Sequence, residues 1–148
     1  MGTFIATKPE EVSKSWLDYW SFGHLLFGAV AYFQIYAIVY YVFAAEFPDW
    51  FGYITSINAQ QQARLWGLVG ATIVGIIWEP IENIGFVKLG WKSPVDSWPN
   101  LIIDCIMVFI GALILYYIHI PLVNLTICIG LVILLIVTGY LTKHNTSS

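Results

Sequence analysis

Residues 99–141 read PNLIIDCIMVFIGALILYYIHIPLVNLTICIGLVILLIVTGYL, two long apolar runs separated only by residues 119–121. A helix needs about 20 mostly apolar residues to cross a bilayer, and each run reaches that length. Because the connection is so short, the pattern predicts a tight hairpin of two spanning helices. Pro121 suits the first turn of the second helix, where its missing N–H leaves no hydrogen bond unmade.

The composition of the whole chain supports the same class. The 148 residues are 59% hydrophobic and only 10% charged, and the mean hydropathy is +0.76. A soluble domain carries about 25% charged residues. We therefore predict an integral, multi-pass protein of the cell membrane, with the lipid bilayer as its surroundings. The net charge of -3 argues against nucleic-acid binding, which needs clustered Lys and Arg.

The apolar runs divide the chain into four predicted spans within one membrane domain, residues 1–148. The predicted fold class is an all-α integral membrane protein, a bundle of four transmembrane helices with both termini in the cytoplasm. The spans cover about 16–43, 63–80, 99–118 and 122–141.

The distribution of positive charge sets the predicted orientation. Four spans place five of the six Lys and Arg residues on one side of the membrane: Lys8, Lys14, Lys88, Lys92 and Lys143. Only Arg64 lies on the opposite side. Because cytoplasmic segments are rich in Lys and Arg, both termini and the loop at 81–98 are predicted to be cytoplasmic.

Small residues in the spans predict close helix packing. Gly67, Ala71 and Gly75 are spaced by four, so they lie on one face of the second span. Such a row lets another helix approach closely. The two cysteines, Cys105 and Cys128, lie inside apolar runs and are interpreted as small core residues.

Polar residues gather where three spans approach the predicted cytoplasmic side. Glu79, Glu82 and Asn83 are spaced i, i+3, i+4 and share one helical face. Asp96, Asn100 and Asp104 are spaced by four. The predicted cluster comprises His24, Glu79, Glu82, Asn83, Asp96, Asn100 and Asp104.

The individual members also have structural explanations. Asp96 or Ser97 suits the N-cap of the third span, and Glu79 can extend its carboxylate to the interface. An ionised carboxylate inside a span, however, costs roughly 2.5–3.5 kcal/mol. A proton, a bound cation or His24 as imidazolium would relieve the repulsion between these acids. The sequence therefore predicts a cytoplasm-facing cluster of carboxylates and one His that handles a proton, a cation or a lipid headgroup.

A metal ion is one form of that cation. His24, Glu82 and Asp104 are the candidate ligands, and such a donor set suits Zn, Mn or Fe. The sequence identifies no cofactor and no reaction, so whether the protein is an enzyme stays open at this stage.

The stretch W78-E-P-I-E-N83, followed by K92-S-P-V-D-S97, Asn100, Asp104 and Gly111, resembles an uncharacterised bacterial family of small membrane proteins. That family has the pattern W-E-x-x-E-N and then D-S-x-x-N-x-x-x-D. More distantly, the chain is similar to VanZ-like proteins. The resemblance implies a small polytopic protein with a polar pocket and implies no established reaction. Lys92 stands where those proteins would be expected to carry Arg.

An alternative function is that of an accessory or structural subunit in a larger membrane complex, such as a membrane oxidoreductase, without catalysis of its own. Gln34 and Asn124 lie inside predicted spans and away from the polar cluster. An amide that faces lipid leaves its donors unsatisfied. We therefore expect one of these amides to meet a neighbouring helix or a second subunit.

Overall fold

The computed structural model describes residues 4–8, 11–43, 56–90, 92, 95–119 and 121–145. Within these residues every named secondary-structure element is helical, and one isolated bridge joins Ile5 to Leu17. The outer loop and the Ser93-Pro94 part of the motif lie outside the described residues.

Four α-helices follow one another in the described part of the chain. They are α1 (Tyr19–Ala37), α2 (Ser56–Pro80), α3 (Trp98–Ile118) and α4 (Pro121–Asn145). Two π-helical segments extend the first two helices, at Ile38–Phe43 and Ile81–Phe86. Relative to the predicted spans, α1 starts later, at Tyr19, and α2 starts earlier, at Ser56.

Among the residues that the structure describes, three stretches are long and apolar enough to cross a membrane: Tyr19–Tyr41, Ala59–Phe86 and Trp98–Ile118. In α4 the apolar stretch among the described residues is shorter and runs from Val123 to Leu134. The chain is therefore helical, with three helices of membrane-spanning length, and the fourth span remains a prediction.

Residues at the N-cap positions mark where α1 and α3 begin. Asp18 caps α1, where its carboxylate accepts hydrogen bonds from the backbone N–H groups of Trp20 and Ser21. The Ser21 hydroxyl accepts in turn from the Asp18 backbone N–H, which completes a capping box. Ser97 occupies the N-cap position of α3, as one of the two predicted residues, but its side chain makes no capping hydrogen bond.

The core lies between α1, α2 and α3, and α4 packs against α1. Its largest fully buried apolar side chains are Tyr32, Tyr36, Leu115 and Val108. The predicted small-residue row on α2 contacts this core. A Cβ on Gly67 would lie 3.0 Å from the Tyr32 ring, and a Cβ on Gly75 would lie 2.6 Å from Val108. Both cysteines are free thiols, Cys128 buried and Cys105 partly buried.

The outer faces of the helices carry large exposed apolar side chains. Ile73, Ile76 and Ile77 on α2 and Ile102 and Ile106 on α3 are each more than 40% exposed. Apolar faces of this kind are suited to contact with lipid or with another membrane helix.

Candidate functional site

His24 lies one turn into α1 and is 7% exposed. Its Nδ1 atom is 2.9 Å from the backbone carbonyl oxygen of Trp20. A carbonyl oxygen can only accept a hydrogen bond, so Nδ1 carries the proton in this pair. The other ring nitrogen, Nε2, is thereby directed at the carboxylates of the neighbouring helices.

Three carboxylates surround this imidazole. Nε2 lies 3.2 Å from Oε1 of Glu79 and 3.4 Å from Oε2 of Glu82, both contributed by α2 and its π-helical extension. Nδ1 lies 3.7 Å from Oδ2 of Asp104 on α3. Glu79 and Asp104 are each 1% exposed. We call His24, Glu79, Glu82 and Asp104 the His24 cluster.

The π-helical turn after Pro80 positions Asn83. A π-turn accommodates an extra residue in the helix, and such turns occur frequently at functional sites. The Asn83 amide donates to the backbone carbonyl and to the carboxylate of Glu79, at 3.2 Å each. Its side-chain oxygen accepts from the Asp96 backbone N–H at 2.8 Å. Asn83 thus joins the end of α2 to the segment that precedes α3.

Lys92 folds back from the connecting segment onto two acids. Its ammonium lies 2.8 Å from Oε1 of Glu82 and also contacts the Asp96 carboxylate. Burial opposes its charged form, yet hydrogen bonds to Asp96 and Glu82 raise the pKa of Lys92 above its ordinary value. Trp78 donates its indole N–H to Oε2 of Glu82 at 2.9 Å. Both oxygens of Glu82 therefore have a donor.

The carboxylates of Glu79 and Asp104 are less completely hydrogen-bonded than that of Glu82. Oε1 of Glu79 and Oδ1 of Asp104 are buried and have no hydrogen-bond partner within the described part of the chain. The 3.2 Å approach of Glu79 to His24 lacks the alignment of a hydrogen bond. Buried polar atoms are normally satisfied, so two unsatisfied carboxylate oxygens beside one imidazole require an explanation.

The same three residues have the spacing of metal ligands. His24, Glu79 and Asp104 each offer one ligand atom, and these atoms all lie within 4.8 Å of one another. Atoms that share one zinc ion lie roughly 3.5 Å apart, given bonds of about 2.0–2.2 Å, so rotation of the carboxylates must close the remaining gap. The sequence proposed Glu82 in place of Glu79, and in the structure Glu82 is engaged by Lys92 and Trp78.

Asn100 and Asp96 lie near the His24 cluster and contact neighbouring segments of the chain. The Asn100 amide, 1% exposed, points at the backbone oxygen of Trp16 at 3.4 Å. The backbone N–H of Ser97 donates to the Ser13 carbonyl at 2.7 Å. Ser13 has a φ of 65°, a strained value for a residue with a side chain. These contacts hold the segment before α1 across the start of α3.

Asp18 and Ser21 are buried members of this end of the bundle that the sequence reasoning missed. Asp18 is 3% exposed and Ser21 is fully buried. A signal for Asp18 exists in the sequence, because Asp immediately before an apolar run is a preferred N-cap residue. The prediction placed the start of the span at residue 16 and so overlooked it.

A cavity of about 230 Å³ opens beside the His24 cluster. His24 and Glu82 form its polar end. Its other lining residues are Trp20, Gly23, Phe27, Trp78 and Phe86. The Trp78 ring lies 5.4 Å from the Phe27 ring and 5.6 Å from the Phe86 ring, so the aromatic wall is packed as one unit.

The opposite end of the bundle has a separate polar group. Gln60 and His119 are joined by a 3.0 Å hydrogen bond, and the Arg64 guanidinium donates to the Tyr116 carbonyl. Burial and the Arg64 charge lower the pKa of His119. Between the two ends, α1 and α3 are in backbone contact at Gly28 and Val108.

Comparison with family models, with curated proteins and with solved structures found no match to this chain. The resemblance to the W-E-x-x-E-N family therefore stays a prediction that rests on the motif residues alone.

Proposed function

We propose that this chain is a multi-pass protein of the cell membrane whose His24 cluster binds a divalent metal ion near the cytoplasmic side. His24, Glu79 and Asp104 are the ligands. The orientation is supported by the five-to-one distribution of Lys and Arg in the sequence.

The observation that carries the proposal is the pair of unsatisfied oxygens. Oε1 of Glu79 and Oδ1 of Asp104 are buried without a hydrogen-bond donor among the described residues. Burying a charge costs free energy unless the charge is paired or bound to a metal. A cation held between these oxygens and His24 would satisfy both carboxylates at once.

The charges near the cluster favour a divalent ion. Lys92 is shared between Glu82 and Asp96, so its positive charge is already used. Glu79 and Asp104 have no Lys or Arg partner within the described residues. Two ionised carboxylates and a neutral imidazole match the charge of a divalent cation.

The donor atoms favour a transition metal. One imidazole nitrogen and two carboxylate oxygens suit Zn, Mn or Fe. Metal-bound imidazoles normally donate their second N–H to a carbonyl or a carboxylate, which orients the ring. The Nδ1 contact of His24 with the Trp20 carbonyl has this form and leaves Nε2 for the metal. Three protein ligands also leave a coordination position open.

Metal titration of the purified protein tests the proposal. Metal-free protein in a non-ionic detergent should bind one equivalent of Zn²⁺ or Co²⁺. Asp104→Asn should weaken binding by more than about a hundredfold, because changes outside the ligand shell already cost 10- to 100-fold.

The matched control is Asp96→Asn. Asp96 is also buried at this end of the bundle but pairs with Lys92, so this variant should bind metal nearly as tightly as the wild type. Wild-type metal affinity in Asp104→Asn, or no metal binding by the wild-type protein, would overturn the proposal.

One observation favours the alternative of a subunit in a larger complex. Gln34, in the last turn of α1, is exposed and lines an apolar groove of about 300 Å³ together with Cys128 and Ile129 of α4. An exposed amide within an apolar face is expected to have a polar partner in the membrane. A subunit could supply that partner, and it would not exclude a metal in the His24 cluster.

A further inference from the structure

The cavity beside the His24 cluster is lined mainly by aromatic rings. Four of its seven lining residues are Trp20, Phe27, Trp78 and Phe86. The rings of Trp78 and Phe86 meet at an interplanar angle of 89°, so these two rings form a corner. Gly23 also lines the cavity and adds no side chain to the space of about 230 Å³. The cavity thus has the form of a box with aromatic walls.

One end of this box is acidic. Glu82 lines the cavity together with His24. The Trp78 indole donates its N–H to Oε2 of Glu82 at 2.9 Å, which holds this ring beside the carboxylate. A molecule in the cavity therefore meets aromatic rings and a carboxylate at the same time.

The charges behind the acidic end leave it net negative. The ion pairs around His24 and Lys92 connect four carboxylates, those of Glu79, Glu82, Asp96 and Asp104. Lys92 and a divalent ion supply three positive charges, one fewer than the carboxylates carry. Without that ion, Lys92 and a protonated His24 supply only two. The excess of negative charge does not depend on the metal site, and it attracts a cation to the cavity.

The hydrogen bonds of Glu82 favour a cation that has no N–H groups. Both carboxylate oxygens already accept a hydrogen bond, one from Lys92 and one from Trp78. A primary ammonium has three N–H groups that need acceptors. A quaternary ammonium needs none, and an aromatic face attracts it when the cation lies within about 6 Å of the ring centroid.

We propose that this cavity is an aromatic cage that binds a quaternary ammonium group, with Glu82 as its counter-ion. The rings of Trp20, Phe27, Trp78 and Phe86 surround the N-methyl groups. A choline lipid headgroup and free choline share this chemistry. Trp20 is 47% exposed at the start of α1, and Trp side chains are enriched at the level of lipid headgroups, so a headgroup is one source of the cation.

An NMR titration of choline tests the proposal. The protein is purified in dodecyl maltoside, which carries no ammonium group. Aromatic rings shift protons above their faces upfield, so the N-methyl signal of choline should move upfield and saturate, relative to empty micelles. The neutral isostere 3,3-dimethylbutanol has the same shape without the charge and should bind at least about tenfold more weakly.

Two tryptophan substitutions provide the matched pair. Trp20→Leu removes one wall of the cavity and should weaken choline binding by about fivefold or more. Trp66→Leu changes a Trp on α2 that is similarly exposed, at 50%, but lies outside the cavity, and should leave the affinity unchanged. Gly23→Leu fills the cavity and should weaken choline binding as well, which keeps the proposal testable if Trp20→Leu does not fold.

Hexyltrimethylammonium distinguishes the two sources of the cation. Binding at least about tenfold tighter than that of choline supports a lipid headgroup, because the chain then finds an apolar surface beside the cage. Equal binding of the two cations supports a free small cation in the same cage.

Three results would overturn the cage: equal binding of choline and 3,3-dimethylbutanol, equal losses in Trp20→Leu and Trp66→Leu, or tighter binding of hexyl phosphate than of hexyltrimethylammonium. The metal site is judged separately. A protein that binds choline but takes up no Zn²⁺ refutes the metal site and supports the cage, and one that binds Zn²⁺ but no choline refutes the cage alone.

Discussion

Gly28 and Gly111 bring the backbones of α1 and α3 into direct contact. A Cβ on Gly28 would stand 2.0 Å from the Val108 carbonyl oxygen, and a Cβ on Gly111 would stand 1.9 Å from the Leu25 carbonyl oxygen. The crossing thus depends on the absence of two side chains. His24 and Asp104 precede this crossing on their helices, so the close approach is what brings the imidazole to the carboxylate.

Gly28→Ala should destabilise the protein. The added methyl group meets backbone atoms, which cannot rotate away, so α1 and α3 must separate. Overpacking of this kind costs about 1–3 kcal/mol. Thermal unfolding in detergent should show a clear fall in melting temperature. Gly130→Ala is the control, because its Cβ meets nothing within 4 Å, and it should leave the melting temperature equal or slightly higher. Equal melting of the two variants would contradict the role of the crossing.

Asp104→Leu should destabilise the protein more than Asp104→Asn. Asn keeps a polar group beside His24, whereas Leu leaves the imidazole without it. A buried polar group that loses its partner costs about 1–3 kcal/mol. The measurement is the amount of folded protein in the membrane together with its melting temperature. Equal accumulation of both variants at wild-type levels would remove the structural importance of the cluster.

Lys92→Met should lower the melting temperature, and Lys92→Arg should restore most of it. Without the ammonium, Glu82 and Asp96 repel each other at close range. The pKa of Lys92 is raised in the folded protein. The stabilisation that the charged Lys92 provides is therefore complete below the pKa of the unfolded chain, about 10.4, and is lost only as the pH rises through the higher pKa of the folded protein. The difference in melting temperature between the wild type and Lys92→Met should therefore stay constant from about pH 7 to about pH 9.

If this difference in melting temperature shrinks strongly between about pH 7 and about pH 9, Lys92 loses its charge at a lower pH than the ion pairs require. It would contradict the ion pairs as the source of the stabilisation.

The C-terminus should be cytoplasmic. A cysteine at Ser148, in a background where Cys105 and Cys128 are replaced by serine, should resist a membrane-impermeant thiol reagent in intact cells. A cysteine at Gln62 is the control, because Gln62 is exposed near the opposite end of the bundle and should be labelled. Labelling of the Ser148 position from outside, with protection at Gln62, would reverse the orientation.

Gln34→Leu and Asn124→Leu should have different effects. Asn124 is fully buried within the chain, and neither of its side-chain polar atoms has a hydrogen-bond partner within the described residues. Asn124→Leu should therefore change the stability of the isolated chain without lowering the mass of a native complex.

Gln34 is exposed, so Gln34→Leu should lower the mass of a native complex if a subunit contacts α1. Native mass spectrometry of the solubilised protein measures both. An unchanged complex in Gln34→Leu would leave the subunit alternative without its residue-level support.

The sequence by itself determined the class of the protein and the neighbourhood of its site. Hydropathy is a property of consecutive residues, so the apolar runs predict helices of membrane-spanning length before any contact is known. The i, i+3 and i, i+4 spacings placed Glu79, Glu82 and Asn83 on one face, because helical periodicity is also local. The limits of the first two helices differ from the predicted ones, and the fourth span stays a prediction. The Asp18 cap delays α1, and α2 begins at Ser56, ahead of its uniformly apolar part.

The tertiary structure alone decided which acids are paired and which are left over. Nothing in the spacing distinguishes Glu79 from Glu82 as a partner of His24. The difference arises because Lys92 lies against Glu82 and Asp96, while the π-turn after Pro80 carries Asn83 to Glu79. These outcomes depend on the rotation of each helix about its axis and on the path of a loop. Both are set by contacts between residues distant in sequence, and periodicity does not encode them.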